Sequence, residues 1–206
     1  MANFNIRGLV RGSAGSVNAE VNADGLGNLL TSQGLPAYAE ITRAGKGYAT
    51  MAVSAVASLV VRPTTTAALE IFNNSARDSL VVDRLFGHNL VGVANSAVGL
   101  YAMVTTQKLA PSDAALAINS LSGKPVPTKV VLTAASTTVV DNGWFPYGPS
   151  GSNVTVTTPG PTVEAIIAGR LIVPPGCSLC LHAVASTVGV TMTLGAAWYA
   201  VPLNME

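Results

Sequence analysis

Between residues 171 and 205 the chain carries no acidic or basic side chain apart from His182, and the stretch is long enough to cross a bilayer as a helix. The order of its residues forbids that helix. Pro174-Pro175-Gly176 would break it, and from Thr187 the sequence reads Thr-Val-Gly-Val-Thr-Met-Thr-Leu. Apolar residues at every second position have the period of a half-buried strand. The segment therefore predicts strands separated by a tight turn, not a membrane span.

The same grammar runs through most of the chain. Residues 48–61 form an uncharged run of Ala, Val, Ser and Leu whose length fits either a strand or a buried helix. Arg62-Pro63 closes it, and Thr64-Thr65-Thr66 suits β structure. Residues 67–72 and 80–86 flank the turn-forming 73–78, which predicts a hairpin with Glu70 opposite Arg84 as a cross-strand ion pair. Residues 99–106, 129–140, 153–157, 163–173, 178–184 and 187–201 read as further strands. Only residues 114–119, with Ser112 or Asp113 as cap after Pro111, predict a helix. No repeat with a period of about 20–50 residues is present, which disfavours propellers and solenoids. Parallel α/β folds would need helical patterns between the strands. The expected fold is all-β: an antiparallel two-sheet jelly-roll sandwich over residues 36–206. Residues 1–35, with irregularly spaced glycines, predict an extended N-terminal arm.

Little in the chain points to chemistry. Cys177-Ser178-Leu179-Cys180 has the C-x-x-C spacing of zinc knuckles and redox pairs, but no second cluster supplies the remaining ligands. Two small buried residues is the favoured reading, with a metal or a disulfide as the alternatives. His88 and His182 have apolar neighbours and no acid close in sequence, and no G-x-S-x-G elbow occurs. Gly8, Gly12 and Gly15, like Gly25 and Gly27, lack the strand before, the helix after and the Gly-Lys-Ser/Thr ending of a phosphate loop. Asn73-Asn74-Ser75 and Asn153-Val154-Thr155 match the glycosylation pattern, yet no secretion signal opens the chain, so they read as turn and strand residues. No catalytic, cofactor-binding or metal-ligating residue is nominated; the expectation is a protein without cofactor that is not an enzyme.

Composition points to assembly. Charged residues are 10% of the chain while 49% are apolar, against roughly 25% charged in an ordinary soluble domain. A surface so poor in charge is best tolerated where subunits cover it. The net charge of +1, with scattered Lys and Arg, leaves no electrostatic footprint for nucleic acid. One aromatic cluster stands out: Trp144, Phe145 and Tyr147 in a Gly/Pro-bounded loop. Its rings could cap the end of the sandwich, bury against a neighbouring subunit, or stack on sugar. On the arm, Phe4, Ile6, Arg7 and Arg11 are the candidate contacts.

The segment Glu70-Ile71-Phe72-Asn73-Asn74-Ser75, followed by Ser79-Leu80-Val81-Val82-Asp83-Arg84-Leu85-Phe86, resembles a strand–turn–strand pattern of tailed-bacteriophage virion proteins of jelly-roll type. The upstream run from Tyr38 to Gly47 is similar in style. The resemblance implies a capsid decoration (cement) protein or a related head or tail component. Such a protein is made in the host cytoplasm, assembled as a homotrimer, and bound to the major capsid protein or other virion subunits. It brings no catalytic residues. The competing expectation is a carbohydrate- or receptor-binding module of a phage tail or head fibre, with Trp144 and Tyr147 stacking on a glycan.

Overall fold

The computed structural model describes residues 6–12, 15–21, 37–52, 54–106, 117–124, 130–152 and 162–202. The chain divides into two compact units, Met1–Ala37 and Tyr38–Glu206. In the first, β1 (Ile6–Gly12) and β2 (Gly15–Val21) pair as an antiparallel ladder with Val10 opposite Val17 and Arg7 opposite Glu20. Where the sequence predicts an extended arm, this stretch is thus a paired hairpin. In β2 polar and apolar residues alternate from Ser16 to Val21, and that period suits a strand. Phe4 and residues 22–36 lie outside the described residues, as do the expected cap at Ser112 or Asp113 and the expected strand at 153–157.

The second unit opens with a short helix, α1 (Ala37–Arg43), which the sequence reading misses. Gly45, at φ +69°, ends it in a left-handed conformation. The amide of Gly45 donates to the Thr42 carbonyl and that of Lys46 to the Ile41 carbonyl, the paired bonds that close a helix on a glycine. Among the described residues eleven strands follow: β3 (Gly47–Met51), β4 (Val56–Ala57), β5 (Thr66–Asn73), β6 (Asp78–Val91), β7 (Ala97–Thr105), β8 (Ile118–Asn119), β9 (Val130–Thr138), β10 (Phe145–Ser152), β11 (Thr162–Val173), β12 (Ser178–Ala185) and β13 (Thr191–Pro202). The predicted helix at 114–119 is corrected where it can be seen, since Ile118 and Asn119 pair with β3 as strand β8. The ambiguous run 48–61 resolves into β3, β4 and a bridge from Leu59 to Val184.

Two antiparallel sheets result. One runs β10-β7-β12-β5-β9 and the other β11-β6-β13-β3-β8, with β4 added to β13. Strands from the two halves of the unit pair from the outside inward: β3 with β13, β5 with β12, β6 with β11 and β7 with β10. Between the sheets lies one core, to which the five-stranded sheet gives Leu69, Ile71, Leu100, Leu179 and Leu181, and the six-stranded sheet Leu85, Ile167, Leu194 and Trp198. Each such side chain, fully buried, stabilises the fold by about 1.5–3 kcal/mol.

The predicted hairpin of 67–72 and 80–86 is overturned. β5 and β6 lie in different sheets, so residues 74–77 carry the chain across the sandwich. Asn73 holds this crossing. Its Nδ2 donates to the carbonyls of Asp78 (2.8 Å) and Val173 (2.9 Å), and its Oδ1 accepts the Ser75 amide (3.0 Å). The expected Glu70–Arg84 pair falls with the hairpin: Arg84 instead bonds Glu164 on β11 at 2.7 Å.

Candidate interaction surface

β5 and β12 are buried on both faces, which requires a cover on the outer side of the five-stranded sheet. Part of that cover is the segment 139–144. Val139 and Trp144 pack on Ala67, Met103 and Cys180, with Tyr101 alongside, as a second small core. Three contacts pin the segment. The Val139 amide donates to the Thr65 carbonyl at 2.8 Å, the Trp144 indole Nε1 to the Thr64 carbonyl at 3.1 Å, and Asn142 Nδ2 to the Thr105 hydroxyl at 2.8 Å. The Arg62 guanidinium bridges both oxygens of Asp141 at 3.0 and 3.1 Å. That pairing, with the Gly143 amide, holds the Asp141 carboxyl below its ordinary range.

The three aromatic residues grouped by the sequence therefore part company. Trp144 is 3% exposed, so its ring has no face open to a ligand. Tyr147 packs against the main core. Phe145 alone points outward, 61% exposed. The expected loop is also partly a strand: Phe145, Pro146 and Tyr147 pair with Ala102, Tyr101 and Leu100 before a register shift at Gly151. Proline is tolerated because β10 lies at the sheet edge, where its missing amide leaves no ladder bond unmade. Gly148, at φ +75°, sits so close to β11 that a Cβ there would lie 2.7 Å from that of Ala165.

Other exposed apolar residues flank the Arg62–Asp141 pair. Val60 and Val61, just before Arg62, are 49% and 66% exposed, and Val140, just before Asp141, is 59% exposed. The Arg62–Asp141 pair brings these two segments side by side. Beside them runs an open groove of about 430 Å³ whose walls include Val60, Tyr101, Pro146 and Tyr147 and whose floor includes Gly99, with no charged side chain in its lining. The sequence missed Val60 and Val61; its signal was two adjacent valines just before a proline-closed turn. Of the arm candidates, Ile6, Arg7 and Arg11 lie on β1.

The remaining candidates are dispersed. Cys177 and Cys180 are free thiols on opposite sides of the sheet, Cys177 against the main core and Cys180 in the second. Burial, and next the nearby Glu70, push the Cys180 thiol well above its ordinary pKa. His182, 1% exposed, donates from Nδ1 to the Ala183 carbonyl at 2.9 Å, and burial lowers its pKa. His88 meets the Thr162 hydroxyl at 3.2 Å. Among the described residues no group of three His, Cys, Asp or Glu gathers to hold a metal, and no helix is long and apolar enough to cross a membrane.

Fold and surface together define an all-β, two-sheet protein with an uncharged groove beside one sheet edge. No family model, curated protein or solved structure matches the chain.

Proposed function

We propose that the chain is a structural protein of a bacteriophage virion, a capsid decoration protein that assembles as a homotrimer and stabilises the shell through subunit contacts. The observation that carries this reading is the strand pairing. First with last, second with second-last, and so inward, the pairs β3–β13, β5–β12, β6–β11 and β7–β10 follow the order of a doubled ribbon rolled into a jelly roll, an architecture used by viral capsid proteins. Strands β4, β8 and β9 are additions to it.

The apolar face around Val60, Val61 and Phe145 supports burial between copies, since exposed patches of this kind mark interaction sites. The amino-terminal hairpin supports the same reading, because a lone two-stranded hairpin is marginal in water and gains stability by joining further structure. The shell is the expected partner, and the expected location is the capsid surface. The glycan-binding alternative loses its platform with Trp144 buried.

Light scattering on the whole chain tests the proposal. A trimer is expected, with Phe145→Asp and removal of residues 1–35 each shifting it toward monomer. A monomer at all concentrations would overturn the reading.

A further inference from the structure

On the far side of the sandwich, between α1 and the outer face of the six-stranded sheet, lies a cavity of about 280 Å³, near the lower end of ligand-site sizes. Its lining combines two kinds of surface. Tyr38 and Tyr199 supply aromatic walls, while Asp83 and Arg84 stand adjacent on β6. Tyr38 meets Tyr199 edge-on with ring centroids 6.0 Å apart, so the aromatic walls are braced.

The polar groups are ordered before any ligand arrives. Arg84 Nε lies 3.4 Å from Asp83 Oδ2, and Arg84 Nη1 lies 2.7 Å from Glu164 Oε1. The Tyr38 phenol hydrogen-bonds Asp83; that bond and burial push its pKa up to about 12.

We propose that this cavity is a binding site for one ring of a neutral saccharide. The Asp83 carboxylate accepts from one hydroxyl of a vicinal pair while the Arg84 guanidinium donates to the next. The tyrosine rings offer flat apolar surface to the C–H face of the sugar. A neutral ligand fits better than an ion, because Arg84 is already compensated by Glu164 and Asp83, and a charged ligand would have to break the 2.7 Å bond. The site stands apart from the proposed assembly face and does not depend on it.

The test uses the whole chain and the methyl glycosides of glucose, galactose, mannose and N-acetylglucosamine, read by saturation-transfer NMR and tryptophan fluorescence. At least one glycoside is expected to bind with Kd on the order of 1 mM. Asp83→Asn and Arg84→Gln should each weaken it at least tenfold, while Phe145→Ala leaves it unchanged. Arg84 is half exposed, so Arg84→Gln keeps the fold even if Asp83→Asn does not. Absence of binding by all four glycosides overturns the proposal. So does binding that survives Arg84→Gln, or binding of free glycine in their place.

Discussion

Replacing Asn73 by alanine should be among the most damaging single changes in a turn of this protein. Asn73 is fully buried, and its side chain makes three bonds of 2.8, 2.9 and 3.0 Å. One of these reaches the Val173 carbonyl, 100 residues away in sequence. Its backbone adds two more ties to the turn before β12, from Asn73 N to the Cys177 carbonyl and from Gly176 N to the Asn73 carbonyl, each 2.9 Å; alanine keeps these. At about 1 kcal/mol net for each side-chain bond, the loss is about 3 kcal/mol. In urea, with a slope near 3 kcal/mol/M, the midpoint should fall by about 1 M with the slope unchanged. Asn73→Asp offers a sharper version. It sets a carboxylate oxygen against two carbonyl oxygens, so at pH 7 it should be worse than alanine. The gap should narrow as the pH falls toward about 4, where the carboxyl is protonated and one oxygen donates again. A midpoint shift for Asn73→Ala worth less than about 0.5 kcal/mol would refute the assignment of Asn73 as the tie between the sheet crossing and β11.

Burial holds the His182 pKa below its ordinary 6.5, so below that pH the unfolded chain binds the extra proton and stability falls as pH drops. The slope should approach about 1.4 kcal/mol per pH unit, and urea midpoints at pH 7 and pH 5 should show it flattened in His182→Gln. Ala168 sits at φ 49°, where a Cβ costs roughly 1 kcal/mol, so Ala168→Gly should raise the urea midpoint by about 0.3 M at a slope near 3 kcal/mol/M; a fall would contradict it. Gly195→Ala should be severely destabilising, because a Cβ there would lie 2.5 Å from the Thr50 carbonyl oxygen and overlap the Phe86 ring; thermal melting or loss of soluble yield reads it out.

Strands were legible wherever one face meets water. β11 alternates exposed and buried residues from Thr162 to Ile167, and its sequence announces that. β5 and β12 are covered on both sides, so their runs are almost uniformly apolar and could equally have been helix. The crossing from β5 to β6 was misread as a hairpin because Asn-Asn-Ser chemistry serves either purpose. What distinguishes them is a partner on β11, a fact no local window contains. Helix α1 had a usable signal in Pro36 ahead of it and Gly45 behind it, but seven residues give too few turns for a period to stand out. The aromatic cluster was found, yet its division into one buried, one packed and one exposed ring depends on contacts with Ala67, Met103 and Cys180 and with the main core, which lie far off in sequence. The cavity under α1 draws on residues from 38 to 199, a spacing at which sequence proximity is silent.

The break in pairing on β11, between Ile166 and Leu171, bears on how copies of this chain can meet. β11 is an outer strand of its sheet, and an unbroken outer strand invites another chain to continue the ladder without end. Here the backbone turns aside midway, and the outward residues include the charged Glu164. Growth by adding sheet to sheet is thereby discouraged along that margin. Association through side-chain faces is left as the favoured route, and contacts of that kind can close into a ring of fixed number instead of running on as a fibre.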